Sequence, residues 1–223
     1  YTEVPLTYEF INHILTFGLD IRWRKKAARI VAQFGGTQWL DIGIGTGDMA
    51  MNLCRLAPVG TEVSALDFSL PMIQEAVRKR LAKDMNPVLG EGTGLPFKDN
   101  TFDAVTISFA SRNIDSSGEG NLLECLAETH RILKPGGVFV NLETSQPRHR
   151  FIRWFFHLYV KLTVYPIGST ISGSRSAYMY LSRSMRKFYS AEDLLEIIRQ
   201  AGFQSVSFNR LLFGTAAIHI ARK

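Results

Sequence analysis

The stretch Trp39-Leu-Asp-Ile-Gly43-Ile-Gly45-Thr-Gly47-Asp-Met49 decides how the rest of the chain is read. An apolar run ends at Asp41, glycines follow at alternate positions, and an Ala/Met/Leu-rich segment begins behind them. The pattern predicts a strand, a tight loop and a helix N-terminus. Glycines let the backbone turn sharply and approach a ligand closely, and the first helical turn offers unpaired N–H donors.

The spacing Gly43-x-Gly45 also opens a dinucleotide-binding fingerprint, but the third glycine of that fingerprint would fall at Asp48. Carboxylates at Asp41 and Asp48 would repel a pyrophosphate. They suit a ligand with an ammonium and a sulfonium and no phosphate, which describes S-adenosylmethionine. A ribose-binding acid is expected roughly 20 residues on, at the end of the next strand. Asp67 closes Glu62-Val-Ser-Ala-Leu-Asp67 at that place. The competing reading is a turn that only joins strand to helix.

Working outward, residues 5–34 read as two amphipathic helices separated at Gly18, a segment placed to act as a lid near the first strand. Its basic cluster (Arg22, Arg24, Lys25, Lys26, Arg29) reads as a solvated face. After the glycine loop come a helix over 49–57, a strand over 62–67, and a helix capped by Ser69 with Pro71 in its first turn, running to Lys83. Val88-Leu89 marks a short third strand, followed by the loop Gly90–Phe97, a turn at Asp99-Asn100 and a buried strand over 102–109. A helix over 121–133 is stopped by Lys134-Pro-Gly-Gly137, and Val138–Leu142 is the fifth strand. Such alternation requires right-handed crossovers and a parallel sheet. A helix over 190–201, capped by Ser190, precedes strands over 206–212 and 216–221. The connection Phe213-Gly-Thr215 is short enough to make these a hairpin, hence an antiparallel edge on the sheet.

The chain's 223 residues suit one domain, 1–223, with an ordinary hydrophobic share of 46%. A net charge of +6 points to an anionic partner. The segment Arg148–Lys161 interleaves cations with Phe, Trp and Tyr over a helix length, which suits an anionic membrane surface with apolar side chains inserted and cations snorkelling. A helix that covers a pocket or packs on a partner subunit is the alternative. No nucleic-acid-binding signature accompanies the charge, and Cys54 and Cys125 lack metal-ligand spacing and read as reduced thiols of a cytoplasmic protein. No signal-peptide pattern is present in these residues, and no apolar run nears the roughly 20 residues that span a bilayer.

The order of motifs resembles the class I S-adenosylmethionine-dependent methyltransferases. Within them it resembles the ubiquinone/menaquinone C-methyltransferases. The resemblance covers nearly the whole chain and rests on Tyr8-Glu-Phe-Ile-Asn12 with Phe17–Arg24, on Asp41–Asp48, on Leu95-Pro-Phe97 and on Thr106-Ile-Ser-Phe-Ala-Ser-Arg-Asn113. It continues through Arg131–Gly137, Leu142–Pro147, Tyr178–Ser184 and Gly214–His219. The pair after the third strand is Glu91-Gly92, where that family usually has Asp-Ala or Asn-Ala, and the closing glycine pair is Gly214-Thr215.

The resemblance implies an α/β, Rossmann-like sheet of seven strands, mostly parallel with an antiparallel C-terminal hairpin strand and helices on both faces, with residues 1–34 as a lid and 146–189 as a substrate- and membrane-facing insertion. It implies C-methylation of a polyprenylated quinol precursor with S-adenosylmethionine as cofactor and no metal. Asp41, Gly43, Gly45, Thr46, Gly47 and Asp48 would hold the methionine part, Asp67 the ribose, Phe68 would also contact the cofactor, and Glu91 and Gly92 would lie along the adenine, with Ser108 beneath. Arg112, after the fourth strand, would stabilise the ring oxyanion and Asn113 would orient it. Tyr8, Asn12, Tyr178 and His219 are assigned to the acceptor side; His219 also reads as a hydrogen-bonded histidine of the sheet. Expected partners are a lipid-tailed quinol, an anionic membrane surface at the inner face and a second copy of the chain. The competing functions are methylation of another small or lipid-linked acceptor, and a non-catalytic binding subunit.

Overall fold

The computed structural model describes residues 11, 13–79, 85–116, 121–172 and 175–223. Its centre is a seven-stranded sheet of β1 (Gln38–Ile42), β2 (Glu62–Asp67), β3 (Met85–Leu89), β4 (Phe102–Ser108), β5 (Leu133–Thr144), β6 (Ser205–Leu211) and β7 (Ala216–Arg222). In space the strands run 3-2-1-4-5-7-6. The chain winds outward from β1 to β3, then returns to place β4 beside β1, so the strand order reverses between β1 and β4. A crevice opens at the carboxyl ends of the strands at such a reversal.

The helices are α1 (Leu19–Phe34), α2 (Asp48–Leu56), α3 (Leu70–Arg78), α4 (Ser111–Ser116), α5 (Asn121–Ile132), α6 (Arg150–Ser172), α7 (Arg175–Lys187) and α8 (Ala191–Gln200). Strand side chains alternate between faces. Trp39, Val63, Ala104, Val140 and Ile218 face α1 and α2, where Ala27, Val31, Met49 and Leu53 meet them. Leu40, Ile42, Val105, Ile107 and Phe139 face α5 and α8, against Leu122, Leu126, Leu194 and Ile198. Both faces are thus covered, which is why the central strands read as nearly continuous apolar runs. A third cluster joins Ile11 and Leu15 to Val160, Val164, Tyr178 and Leu181, packing α6 and α7 on the segment before α1.

The break expected at Gly18 is present, with φ +71°. The Ser190 cap forms a reciprocal pair with Asp193, as its sequence predicts. Ser69 occupies the N-cap of α3, but its hydroxyl makes no capping bond; the backbone N–H of Ser69 instead donates to Asp67 Oδ1 at 2.9 Å. Residues 80–83, expected at the end of that helix, lie outside the described residues. β3 starts earlier than expected, at Met85, and carries Pro87, which an edge strand tolerates.

One expectation needs correction. Lys134-Pro-Gly-Gly137 lies within β5 rather than before it. Gly136 (φ +77°) turns the backbone locally, and the pairing with β4 jumps from Leu133 opposite Phe102 to Val138 opposite Ala104, so the extra residues form a bulge. The C-terminal hairpin forms the antiparallel edge of the sheet: β7 inserts between β5 and β6, antiparallel to both, and β6 is outermost.

Candidate active site

The glycine loop bridges β1 and α2 through three left-handed residues, Gly43 (φ +69°), Gly45 (φ +53°) and Gly47 (φ +89°). A Cβ at Gly43 would sit 2.6 Å from that of Ala110. Any other residue there would be strained and would clash. The loop is tied to the next strand by the Gly45 N–H, which donates to Asp67 Oδ2 at 2.8 Å. With Ser69 holding the other oxygen, Asp67 is fixed at the carboxyl end of β2, and burial raises its pKa.

Asp41 ends β1 in register with Thr106 of β4, whose hydroxyl donates to Asp41 Oδ1 at 2.6 Å. The carboxylate is 1% exposed, and its Oδ2 is buried with no partner among the described residues. Burial pushes the carboxyl pKa up to about 7; Asp67 adds to the rise, while Thr106 and Arg24 oppose it. Two buried acids beside a backbone-lined loop disfavour phosphate and fit a cationic ligand. S-Adenosylmethionine passes this test, because an ammonium or sulfonium satisfies an orphaned buried carboxylate oxygen.

Thr46 is buried in the loop, Phe68 is an exposed ring at the end of β2, and Glu91 is exposed beyond β3. Gly92 abuts α5, where a Cβ would meet Cys125 Sγ at 2.9 Å. Ser108 ends β4 with its buried hydroxyl unpartnered among the described residues. Asp48 is engaged differently: Lys79 Nζ lies 2.9 Å from its Oδ1, and Arg24 of α1 approaches to 3.9 Å. Arg24 also pairs with Asp20 and stands 5.0 Å over the Phe109 ring. The carboxylate of Asp48 therefore links the loop to α1 through Arg24, a tertiary contact that replaces the solvated face expected for Arg24.

Across β4 lies a second cluster. Arg112, in the first turn of α4, is 4% exposed; its Nη1 donates to Glu143 Oε1 and to Thr144 Oγ1, each at 3.0 Å. Its backbone N–H donates to Glu143 Oε2 at 3.2 Å. Arg112 also lines a cavity of about 230 Å³ with Asp115 of α4 and with Tyr180, Arg183, Ser184 and Lys187 of α7. Glu143 and Arg183 lie in stretches that carry the resemblance but have no role assigned from sequence, and Lys187 lies outside them, since their relation to Arg112 depends on how β5 and α7 pack. Asn113, half-buried, follows Arg112 on α4.

Tyr178 and His219 are not among the described residues lining this cavity. Tyr178 is 2% exposed in the α6/α7 cluster, its ring occupying the space that a side chain at Gly168 would need. His219 lies in β7 opposite Asn141, with Nε2 donating to the Ala191 carbonyl at 2.9 Å. Burial lowers its pKa to about 4, so it is a neutral histidine bonded within the sheet layer. Tyr8 and Asn12 lie outside the described residues. His130 meets the Phe203 ring edge-on at 5.2 Å, a packing role.

The whole of residues 1–223 matches the model of the ubiE/COQ5 methyltransferase family. The chain is 36% identical over 212 residues to the ubiquinone/menaquinone biosynthesis C-methyltransferase UbiE of Desulfotalea psychrophila, covering 95% of this chain and 84% of that one. It is 36% identical over 222 residues to the demethylmenaquinone methyltransferase of Thermus thermophilus, covering 99% and 98%. Among solved structures, a SAM-dependent methyltransferase of Aquifex aeolicus superposes with a TM-score of 0.60 at 18% identity, over 87% of this chain and 88% of that one, which shows the shared fold. A match over its full length and relatives of this closeness place the protein: the chain belongs to the ubiE/COQ5 methyltransferase family.

Proposed function

We infer that this protein methylates a ring carbon of a polyprenylated quinol precursor of the demethylmenaquinol type, using S-adenosylmethionine. The observation that carries the reading is the arrangement around β4. The acidic, glycine-lined crevice lies on one side and the cavity holding Arg112 on the other, so a methyl donor and a ring acceptor fit side by side. When bound, the cofactor supplies an electrophilic methyl group. Asp41 and Asp67 hold and orient it.

A ring carbon becomes nucleophilic when the neighbouring hydroxyl gives up its proton, and the developing oxyanion needs donors already in place. Arg112 provides them. Glu143 already balances its charge, so Arg112 acts through directed N–H groups held by two partners rather than through net charge.

The insertion supports a membrane-facing role for the same protein. α6 presents Phe151 (72% exposed), Trp154 (58%) and Phe155 (49%) to solvent, flanked by exposed Arg148, Arg150 and Lys161. Among the described residues no helix is long and apolar enough to cross a membrane. An interfacial helix of this make-up brings the cavity to the surface in which a prenyl tail is dissolved.

The test is incubation of the protein with S-adenosylmethionine and a short-tailed demethylmenaquinol, followed by mass spectrometry. Gain of one methyl on the ring carbon is expected. Methylation on oxygen, or none, would refute the reading.

A further inference from the structure

Asp115 lies three residues beyond Arg112 on α4, so the two side chains leave the same side of the helix. Both line the 230 Å³ cavity, and Asp115 is the carboxylate among its described lining residues. Tyr189 Oη donates to Asp115 Oδ1 at 3.1 Å. Burial, together with the Asp115 charge, raises the Tyr189 pKa, which keeps the phenol a donor. One carboxylate oxygen is thus held, and the other has no partner among the described residues. The remaining charges on the cavity are cations, Arg112 on α4 and Arg183 and Lys187 on α7.

Resting on the acceptor reading above, we propose that Asp115 is the general base of the reaction, taking the proton of the acceptor's ring hydroxyl while Arg112 donates to the same oxygen, and that Tyr189 is a positioning residue for Asp115. A phenolic hydroxyl ordinarily ionises near pH 10, so few acceptors are anions at neutral pH. A carboxylate within reach removes that requirement. The O–H proton passes to Asp115, and its electron pair feeds through the ring into the new carbon–methyl bond. The electrons of the broken sulfur–methyl bond stay on sulfur. The ring carbon then loses its own proton to restore aromaticity and the oxygen is reprotonated, so one proton is released overall. The other candidates for a base do not reach this cavity: His219 is bonded to Ala191 within the sheet layer, and Tyr178 is enclosed by α6.

The experiment compares two acceptors, a short-tailed demethylmenaquinol and a ring-halogenated analogue whose hydroxyl is already ionised at the assay pH. General-base catalysis typically contributes on the order of a hundredfold or more. Asp115→Asn should lower single-turnover methylation of the first acceptor by at least that factor and the second by far less, and Tyr189→Phe should show the same pattern in weaker form. A binding measurement without cofactor supplies an independent readout. The parent should prefer the quinol over its methyl ether by about tenfold, as expected for one charge-assisted hydrogen bond. Asp115→Asn, which still accepts a hydrogen bond, should retain part of that preference, and Asp115→Ala should abolish it. Equal deficits for both acceptors, or undiminished rates in a folded Asp115→Asn protein, would overturn the proposal. Failure of the parent to methylate either acceptor while still binding cofactor would instead overturn the acceptor reading on which it rests.

Discussion

Arg112 and Glu143 form an ion pair closed from both ends, Nη1 to Oε1 at 3.0 Å and backbone N–H to Oε2 at 3.2 Å, with 4% and 1% of their side chains exposed. The pair fastens the first turn of α4 to the end of β5. Removing one partner from a buried pair strands the other charge and costs about 3–5 kcal/mol. A single substitution here therefore confounds stability with catalysis.

The first prediction follows from that. Arg112→Ala should lose both stability and turnover. Arg112→Met combined with Glu143→Leu should regain much of the stability while turnover stays down by on the order of a hundredfold, the usual effect of losing one oxyanion donor. Denaturant melts and single-turnover rates of the two variants measure this. Recovery of activity with stability in the double variant would remove Arg112 from the chemistry.

Asp67→Ala should weaken cofactor binding by about 1.5–3 kcal/mol, the range for charged hydrogen bonds. The Gly45 and Ser69 N–H groups would lose their acceptor as well, so the loop should loosen. Titration calorimetry reads the first effect and hydrogen exchange at the glycine loop the second.

The pH dependence centres on Asp41, whose carboxyl rises from the ordinary 3.8 to about 7 on burial. Between those values the folded chain holds a proton that the unfolded chain has released. The stability contributed by this residue is therefore full below 3.8, falls as pH rises towards 7, and stays low above it. Asp41→Asn cannot ionise, so the stability of this variant relative to the parent should increase with pH across that window, measured by urea denaturation. A cationic cofactor favours the ionised form. Its binding to the parent below pH 7 should release protons, seen by calorimetry in buffers of different ionisation heat, and the variant should release fewer. Equal slopes in parent and variant would show that Asp41 is ionised throughout.

For α6, sedimentation with anionic vesicles should exceed that with neutral ones and weaken with salt, because surface attraction is screened over about 8–10 Å near physiological ionic strength. Trp154→Ser with Phe155→Ser should abolish it. Vesicle-independent self-association lost in the same variant would assign the face to a second copy of the chain.

Gly168→Ala would press its methyl into the Tyr178 ring. Overpacking of this kind costs about 1–3 kcal/mol. The change should destabilise the α6/α7 layer and leave cofactor binding at the glycine loop intact, since that loop packs on α1 and α3 instead.

Much of this was legible in the sequence because it is local. A glycine loop, a cap at Ser190 and a hairpin near Gly214 are each written within a few residues. What was illegible depends on partners brought together by topology. Thr106 reaches Asp41 across 65 residues and Arg112 reaches Glu143 across 31, and both pairings exist only once β4 lies between β1 and β5. Lys134-Pro-Gly-Gly137 misled for the opposite reason: strong local punctuation was absorbed as a bulge by a strand with partners on both sides. The aromatic face of α6 was visible as composition, but composition does not say what covers it.

The place of β7 between β5 and β6 has a consequence for biogenesis. While the chain is being synthesised, β1 to β5 emerge first and can assemble with their helices, yet the free edge of β5 must wait for a strand that comes only after α6, α7, α8 and β6. β6 itself has no neighbour until β7 slots in. An unpaired strand edge is a template for the wrong partner. The nascent protein therefore passes through a stage in which β5, the strand that carries Glu143, is most open to misassociation, and a chaperone that shields this edge would raise the yield of folded enzyme without altering any property of the finished molecule.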